Sequence, residues 1–133
     1  MASRFTPDLP PARGARKSLR PQRLALTREL IEDAALVLIE QDGLDAFSTR
    51  RLGERLGCQA MSIYHHFPSK ADILDALVDR VLAAIQIPSR RQLPKTRLRN
   101  IARQWRLAAL AHPRLYPYLS VHRWNSEIGA SFL

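Results

Sequence analysis

Cysteine is almost missing from this sequence, whose 133 residues contain one, Cys58. A disulfide within the chain is therefore impossible, which is typical of proteins from a reducing cytoplasm, and we expect a cytoplasmic location. We interpret Cys58 as a small core residue rather than a redox sensor. No apolar run approaches the ~20 residues that a membrane-spanning helix needs. The basic N-terminus is followed by no apolar segment, so it does not fit a secretory signal.

Patterns of catalytic chemistry are missing as well. No glycine-rich phosphate loop is present, and Gly53 and Gly57 follow no strand, so they form no dinucleotide fingerprint. No set of nucleophile, base and acid emerges from the sequence. The adjacent His65 and His66 diverge by about 100° on a helix, and no second cysteine or carboxylate cluster supports zinc. We predict that the chain is not an enzyme and uses no cofactor or metal.

Negative charge is scarce, with 12 Asp and Glu against 21 Lys and Arg, a net charge of +9. This balance suggests a polyanionic partner, either nucleic acid or an anionic membrane surface, and solubility alone is the alternative. Residues 1–24 are rich in arginine, and their prolines and glycine interrupt any helical pattern, which predicts a basic flexible arm. The arm is either a solvated tail or a contact with the DNA minor groove.

Hydrophobic residues make up 46% of the chain and recur at helical spacing, and no strand pattern is visible. We therefore predict an all-α chain, with a further helix or two after residue 114. The predicted helices span about 27–41, 49–56, 60–66, 70–85 and 95–111. The apolar stripe from Ile73 to Ile85 is either core or the lining of a ligand pocket. The residues of the fifth helix that are predicted to face the core are Leu98, Ile101, Ala102, Trp105 and Ala109.

The most informative segment is residues 47–70, FSTRRLGERLGCQAMSIYHHFPSK. Two short helices joined by a glycine-containing turn form a helix-turn-helix. Leu52 is expected to pack on Ile63, so that the two helices cross at a fixed angle. Gly53 leaves room for that close approach, and Gly57 permits a sharp turn with positive φ. This arrangement leaves one side of the third helix free to enter a major groove.

The same segment resembles the DNA-binding head of the tetracycline-repressor (TetR) family. Residues 63–70, IYHHFPSK, are similar to the family's Tyr-x-His/His-Phe-x-x-Lys ending, and the resemblance extends over about 26–82. It implies a three-helix helix-turn-helix DNA-binding domain over 25–70. It also implies a helical ligand-binding and dimerisation domain over 71–133. That effector domain is expected to be incomplete, because family chains usually continue through further helices.

The resemblance also implies DNA contacts. The residues expected to approach base edges, by amide, hydroxyl or apolar contact, are Gln59, Ala60, Met61 and Ser62. The residues expected on the sugar-phosphate backbone are Tyr64, His65, His66 and Lys70. On the second helix, Arg50 is expected to reach a guanine or the backbone, while Ser48 and Thr49 place hydroxyls near phosphate. Gln59 stands where the family often has Ser or Thr as the N-cap, which predicts a looser start of the helix.

A ligand-responsive repressor on a near-palindromic double-stranded DNA operator is the implied function. The effector would be an unknown small molecule, and the protein a homodimer if its C-terminal helices are complete. The candidate pocket residues, which can equally cover hydrophobic surface, are Leu82, Trp105, Tyr118 and His122. The alternative is a basic helical protein that binds a partner or a membrane surface without specific DNA readout. A membrane partner is not expected, because the polar third helix lacks an amphipathic membrane face.

Overall fold

The computed structural model describes residues 25–122, so the predicted arm at 1–24 and the last residues, 123–133, lie outside the described part. The described residues form six α-helices and no strand, which confirms the all-α prediction. The helices are α1 Arg28–Asp42, α2 Thr49–Leu56, α3 Ala60–Tyr64, α4 Lys70–Ala83, α5 Pro94–Ala111 and α6 Tyr116–His122. Within 25–122, no helix combines the length and the apolar character needed to cross a membrane.

Hydroxyl side chains begin three of these helices. Thr27, Ser48 and Ser69 each accept a hydrogen bond of 3.2 Å from the backbone N–H three residues further on, at the starts of α1, α2 and α4. The start of α3 differs, because Gln59 occupies the N-cap and makes no side-chain capping bond. The missing capping bond fits both expectations for Gln59, a looser helix start and a side chain kept for DNA, and it leaves the burial of Ile63 as the main support of α3.

Two glycines shape the turn between α2 and α3. Gly57 ends α2 in the left-handed region, with φ 66° and ψ 31°, as predicted. The next residue, Cys58, donates its backbone N–H to the Gly53 carbonyl at 2.9 Å. A Cβ on Gly53 would lie 2.7 Å from the Cys58 carbonyl oxygen, closer than real Cβ contacts. The turn therefore folds back tightly onto α2, which fixes where α3 begins.

One hydrophobic core runs from the helix-turn-helix to α6. Around the helix-turn-helix it contains Ile31, Ala35, Leu38, Ile39, Phe47, Leu52, Ile63 and Phe67. The stripe of α4 and the following turn supply Ile73, Leu74, Leu77, Val78, Val81, Leu82 and Ile85, and α6 is joined through Leu115 and Leu119. All seven residues of the stripe are buried, as expected of core, and two of them, Val81 and Ile85, also line a cleft where the end of α4 meets α5. Helix α4 connects the head to α6.

The face predicted for α5 is partly wrong. None of its 18 residues is buried. Leu98 is 69% exposed and Ala102 is also exposed, whereas Ile101, Trp105 and Ala109 are half-buried. The reason is that α5 has apolar side chains on more than one side, and the described residues cover it mainly where its C-terminal half meets α4.

Candidate nucleic-acid interface

The short helix α3 is buried on one side and open on the other. Ile63 is fully buried in the core shared with α1 and α2. Met61 and Tyr64, on the other side, are 65% and 40% exposed, and His65 is exposed as well. An α-helix is about 10–12 Å across with its side chains, and the major groove of B-DNA is about 12 Å wide. The open side of α3 therefore has the size and the support needed to enter a duplex groove.

The segment that directly follows α3 is bound to α1 through an arginine. The Arg28 Nη1 donates to the His66 carbonyl oxygen at 2.7 Å. The same guanidinium lies 4.0 Å from the centroid of the Phe67 ring, a cation–π distance. Sequence reasoning missed Arg28, because the two residues are 38 positions apart and no helical spacing relates them. This contact holds α3 in a fixed orientation.

The three arginines of α2 have different surroundings. Arg51 donates to the Asp42 carboxylate at 2.9 Å, and Arg55 donates to the Gln41 side-chain oxygen at 3.1 Å, so both are held against the end of α1. The side chain of Arg50 is 84% exposed and lies 3.8 Å from the carboxylate one turn further on, within α2 itself. An exposed pair of this kind contributes little. Arg50 is thus the arginine of α2 that is available to a partner.

The residues at the starts of α2 and α4 that are predicted to contact the DNA backbone differ in their exposure. Lys70 begins α4 and is exposed, with its Nζ 5.5 Å from the centroid of the Phe47 ring. Ser48 is half-buried and uses its Oγ to cap α2. Thr49 is 7% exposed, buried in the head. The predicted phosphate contact of Thr49 does not fit this burial, so we leave Thr49 out of the proposed interface.

The residues predicted to approach base edges lie together at the start of α3. Gln59 and Met61 are exposed, while Ala60 and Ser62 are half-buried. Gln59 and Ser62 border an open depression between α2 and α3, with Cys58 half-buried beside them against the core. The polar and apolar side chains here are therefore presented on one surface, next to the exposed Tyr64 and His65.

Charge is distributed unevenly around this surface. Residues 25–79 contain ten Asp or Glu and five Lys or Arg, so the head carries a net negative charge. Part of the acidic charge is paired away from α3: Arg80 lies 2.6 Å from the Asp33 carboxylate and 3.9 Å from that of Glu32. The positive charge of the interface itself rests on Arg50 and Lys70. The remaining excess lies in residues 1–24 and beyond α4.

Comparison with known proteins agrees with this geometry. A sequence profile described as "Bacterial regulatory proteins, tetR family" matches residues 31–77, which include most of α1, all of α2 and α3, and half of α4. This segment of the chain is therefore similar to the TetR family of regulators. The order found here, a helix-turn-helix followed by further helices, agrees with that of TetR-family structures.

Individual relatives support the assignment. The class D tetracycline repressor protein of Escherichia coli is 36% identical over 90 residues, which cover 65% of this chain and 41% of that protein. The structure of apo ActR from Streptomyces coelicolor is similar with a TM-score of 0.69 and 28% identity, over 81% of this chain and 52% of that chain. A TetR variant from Acinetobacter baumannii AYE, solved in complex with minocycline, gives a TM-score of 0.59 and 33% identity, over 65% and 51%. The chain thus spans about two fifths to one half of these TetR-family proteins.

Of the four residues predicted for a ligand pocket, three have side chains in the described part of the structure, and their surroundings differ. Leu82 is fully buried in the core, and Trp105 is half-buried against it. Tyr118 donates its hydroxyl to the Asp75 carboxylate at 3.0 Å. Burial, with this bond and the nearby charge, raises the pKa of Tyr118 to about 12. His122 ends α6, and its side chain lies outside the described part of the structure.

Among the described residues, a cleft of about 210 Å³ lies where the end of α4 meets α5. It is lined by Val81, Ala84, Ile85, Gln104, Leu107, Ala108, Ala111 and His112. The His112 Nδ1 is buried there without a hydrogen-bond partner. No sequence pattern marked this cleft, because it is formed by segments about 25 residues apart.

Proposed function

We propose that this chain is a sequence-specific DNA-binding transcriptional repressor that reads its operator with the exposed side of α3. The observation that carries this proposal is the mounting of α3. Ile63 fixes its inner side in the core, Arg28 binds the backbone just after its C-terminal end, and Met61 and Tyr64 remain open to solvent. A short helix held this rigidly can keep one register in a major groove.

The interface divides into two kinds of contact. Gln59, Ala60, Met61 and Ser62 meet base edges, because the start of a recognition helix is the part that lies deepest in the groove. Contacts with the sugar-phosphate backbone are made by Ser48, Arg50, Tyr64, His65, His66 and Lys70. The backbone contacts set the position of the head on the duplex and carry no sequence information directly.

Control by a small molecule and pairing into a homodimer complete the proposal. The related TetR variant is solved with minocycline, which supports a small-molecule effector here. Two heads at a fixed separation would bind a near-palindromic operator in the cytoplasm, and an effector that prefers a different head spacing would lower the DNA affinity. The helices α4 to α6 would hold the effector, and the cleft beside His112 is the candidate binding site.

The proposal is tested by selecting bound duplexes from a random pool with the 133-residue chain, then measuring their affinity by fluorescence anisotropy. The replacement Tyr64→Ala should weaken binding about tenfold on selected and random duplexes alike, because it removes a backbone contact. The matched control is Val37→Ala, an exposed apolar residue on α1 whose loss should leave the affinity unchanged.

Two outcomes would contradict the proposal. A chain that binds selected and scrambled duplexes equally has no specific readout, and the function is then not that of an operator-binding repressor. Equal retention on anionic vesicles and on DNA would favour the alternative of a general polyanion-binding surface.

A further inference from the structure

The exposed side of α3 and its flanks include histidine but none of the strongly acidic or basic side chains. From Gly57 to Ser69 the sequence contains no Lys, Arg, Asp or Glu. The commonest specific contact in the major groove is Arg or Lys to guanine, and Asp or Glu accepts from cytosine. Both routes to a G·C pair are therefore missing from α3. What remains is amide, hydroxyl and apolar chemistry, which suits adenine and the thymine methyl group.

Met61 occupies the position on α3 that is most open. It is 65% exposed, although its side chain is apolar. At 100° per residue it lies about 200° from the buried Ile63, and it shares its side of the helix with Tyr64 and His65, three and four positions on. Met61 thus projects from the centre of the surface that would face the groove, where a flexible thioether can pack on a methyl group.

Gln59 is available for the neighbouring position. It occupies the N-cap of α3 but makes no side-chain capping bond, and it is exposed. A glutamine amide can bond to adenine N6 and N7 at once. Among the three arginines of α2, Arg50 pairs only within its own helix, 3.8 Å from the exposed Glu54 carboxylate. The other two, Arg51 and Arg55, are bound to the end of α1. Guanine readout is therefore limited to Arg50 at the edge.

We infer that each half-site of the operator has an A·T-rich centre in which a thymine methyl group packs on Met61, with adenine next to Gln59. This inference rests on the proposed function and specifies the class of sequence that the site reads. It follows from the lack of strongly acidic or basic side chains on α3, the exposure of Met61 and the uncommitted amide of Gln59.

The experiment replaces the thymines of the selected duplex one at a time by deoxyuridine, which removes the methyl group and keeps the base pairing. At one thymine position in each half-site, loss of the methyl group should raise Kd about fourfold. This corresponds to about 0.8 kcal/mol for one buried apolar carbon. In the Met61→Ala chain the same replacement should leave Kd unchanged. The control Leu98→Ala, which alters a residue on α5 that is similarly exposed, should keep the fourfold loss.

The outcomes separate this inference from the proposed function. Specific binding to half-sites with G·C centres would overturn the inference but leave the proposed repressor function standing. A fourfold loss of affinity that persists in the Met61→Ala chain would have the same meaning, because another residue would then read the methyl group. Failure to select any sequence would overturn the proposed function, and the inference with it.

Discussion

At the scale of single residues, Gly53 leaves no room for a side chain. A Cβ there would lie 2.7 Å from the Cys58 carbonyl oxygen, which is backbone and cannot rotate away. We expect Gly53→Ala to lower the free energy of unfolding by about 1–3 kcal/mol, as overpacking does in a close-packed interior. Urea unfolding followed by circular dichroism measures this change.

A second glycine of the same turn supplies the control. At Gly57 the space is open, with no atom within 4 Å of a built Cβ, and the obstacle is the positive φ of 66°. Asparagine tolerates this region better than other residues with a side chain. We therefore expect Gly57→Asn to cost less than Gly53→Ala. The opposite order would show that conformation, rather than contact with Cys58, limits the turn.

Residue roles within the helix-turn-helix were predictable from the sequence where they depend on near neighbours. The caps at Ser48 and Ser69 and the turn at Gly57 follow from residue type and short spacing. Roles that depend on the folded chain were not predictable. The burial of Thr49 and the contact between Arg28 and His66 arise only when distant segments meet, and no local pattern marks them.

At the scale of helices, a carboxylate of α1 holds the start of α6. The Glu40 side chain accepts from the backbone N–H of Arg114 at 3.3 Å and of Leu115 at 3.1 Å, while Arg114 donates to the Gln41 carbonyl oxygen at 2.9 Å. We expect Glu40→Ala to destabilise the chain by about 1–2 kcal/mol, because two backbone donors lose their acceptor. Urea unfolding measures the loss, with the exposed Asp45→Ala as the control.

The operator affinity of Glu40→Ala tests whether the contact between Glu40 and the start of α6 also affects DNA binding. Because α6 packs on α1 and α4 through Leu115 and Leu119, loosening its start should also disturb the head. We expect Glu40→Ala to weaken operator binding at a temperature where the chain remains folded. An unchanged affinity, together with the loss of stability, would assign Glu40 to stability alone.

Helix periodicity predicts where the helices lie but does not always predict which face of a helix is buried. The first five helices lie close to their predicted spans, because apolar spacing and caps are local signals, although α3 ends at Tyr64 and not at residue 66. The sixth lies in the region after residue 114, where a further helix was expected. The inward face of α5 was not predicted correctly. Apolar residues such as Leu98 and Leu107 lie on different sides of that helix, and only the position of α4 decides which side is covered.

At the scale of the whole molecule, the sign of the charge separates the head from the rest. Residues 25–79 are acidic on balance, whereas residues 1–24 contain six Lys or Arg and one Asp. A protein that binds a polyanion through an acidic head needs cations from elsewhere in the chain. Residues 1–24 are the basic segment that adjoins α1 in the sequence, and their contribution to DNA binding can be measured.

The measurement is the salt dependence of operator affinity. If the full chain neutralises about five phosphates per head, log K should fall with log salt at a slope of about −4.5 per head. Removal of residues 2–24 leaves Arg50 and Lys70 at the interface, which corresponds to a slope of about −1.8. Equal slopes for the two chains would show that the N-terminal residues do not touch DNA. In that case the phosphate contacts would have to come from cations beyond α4.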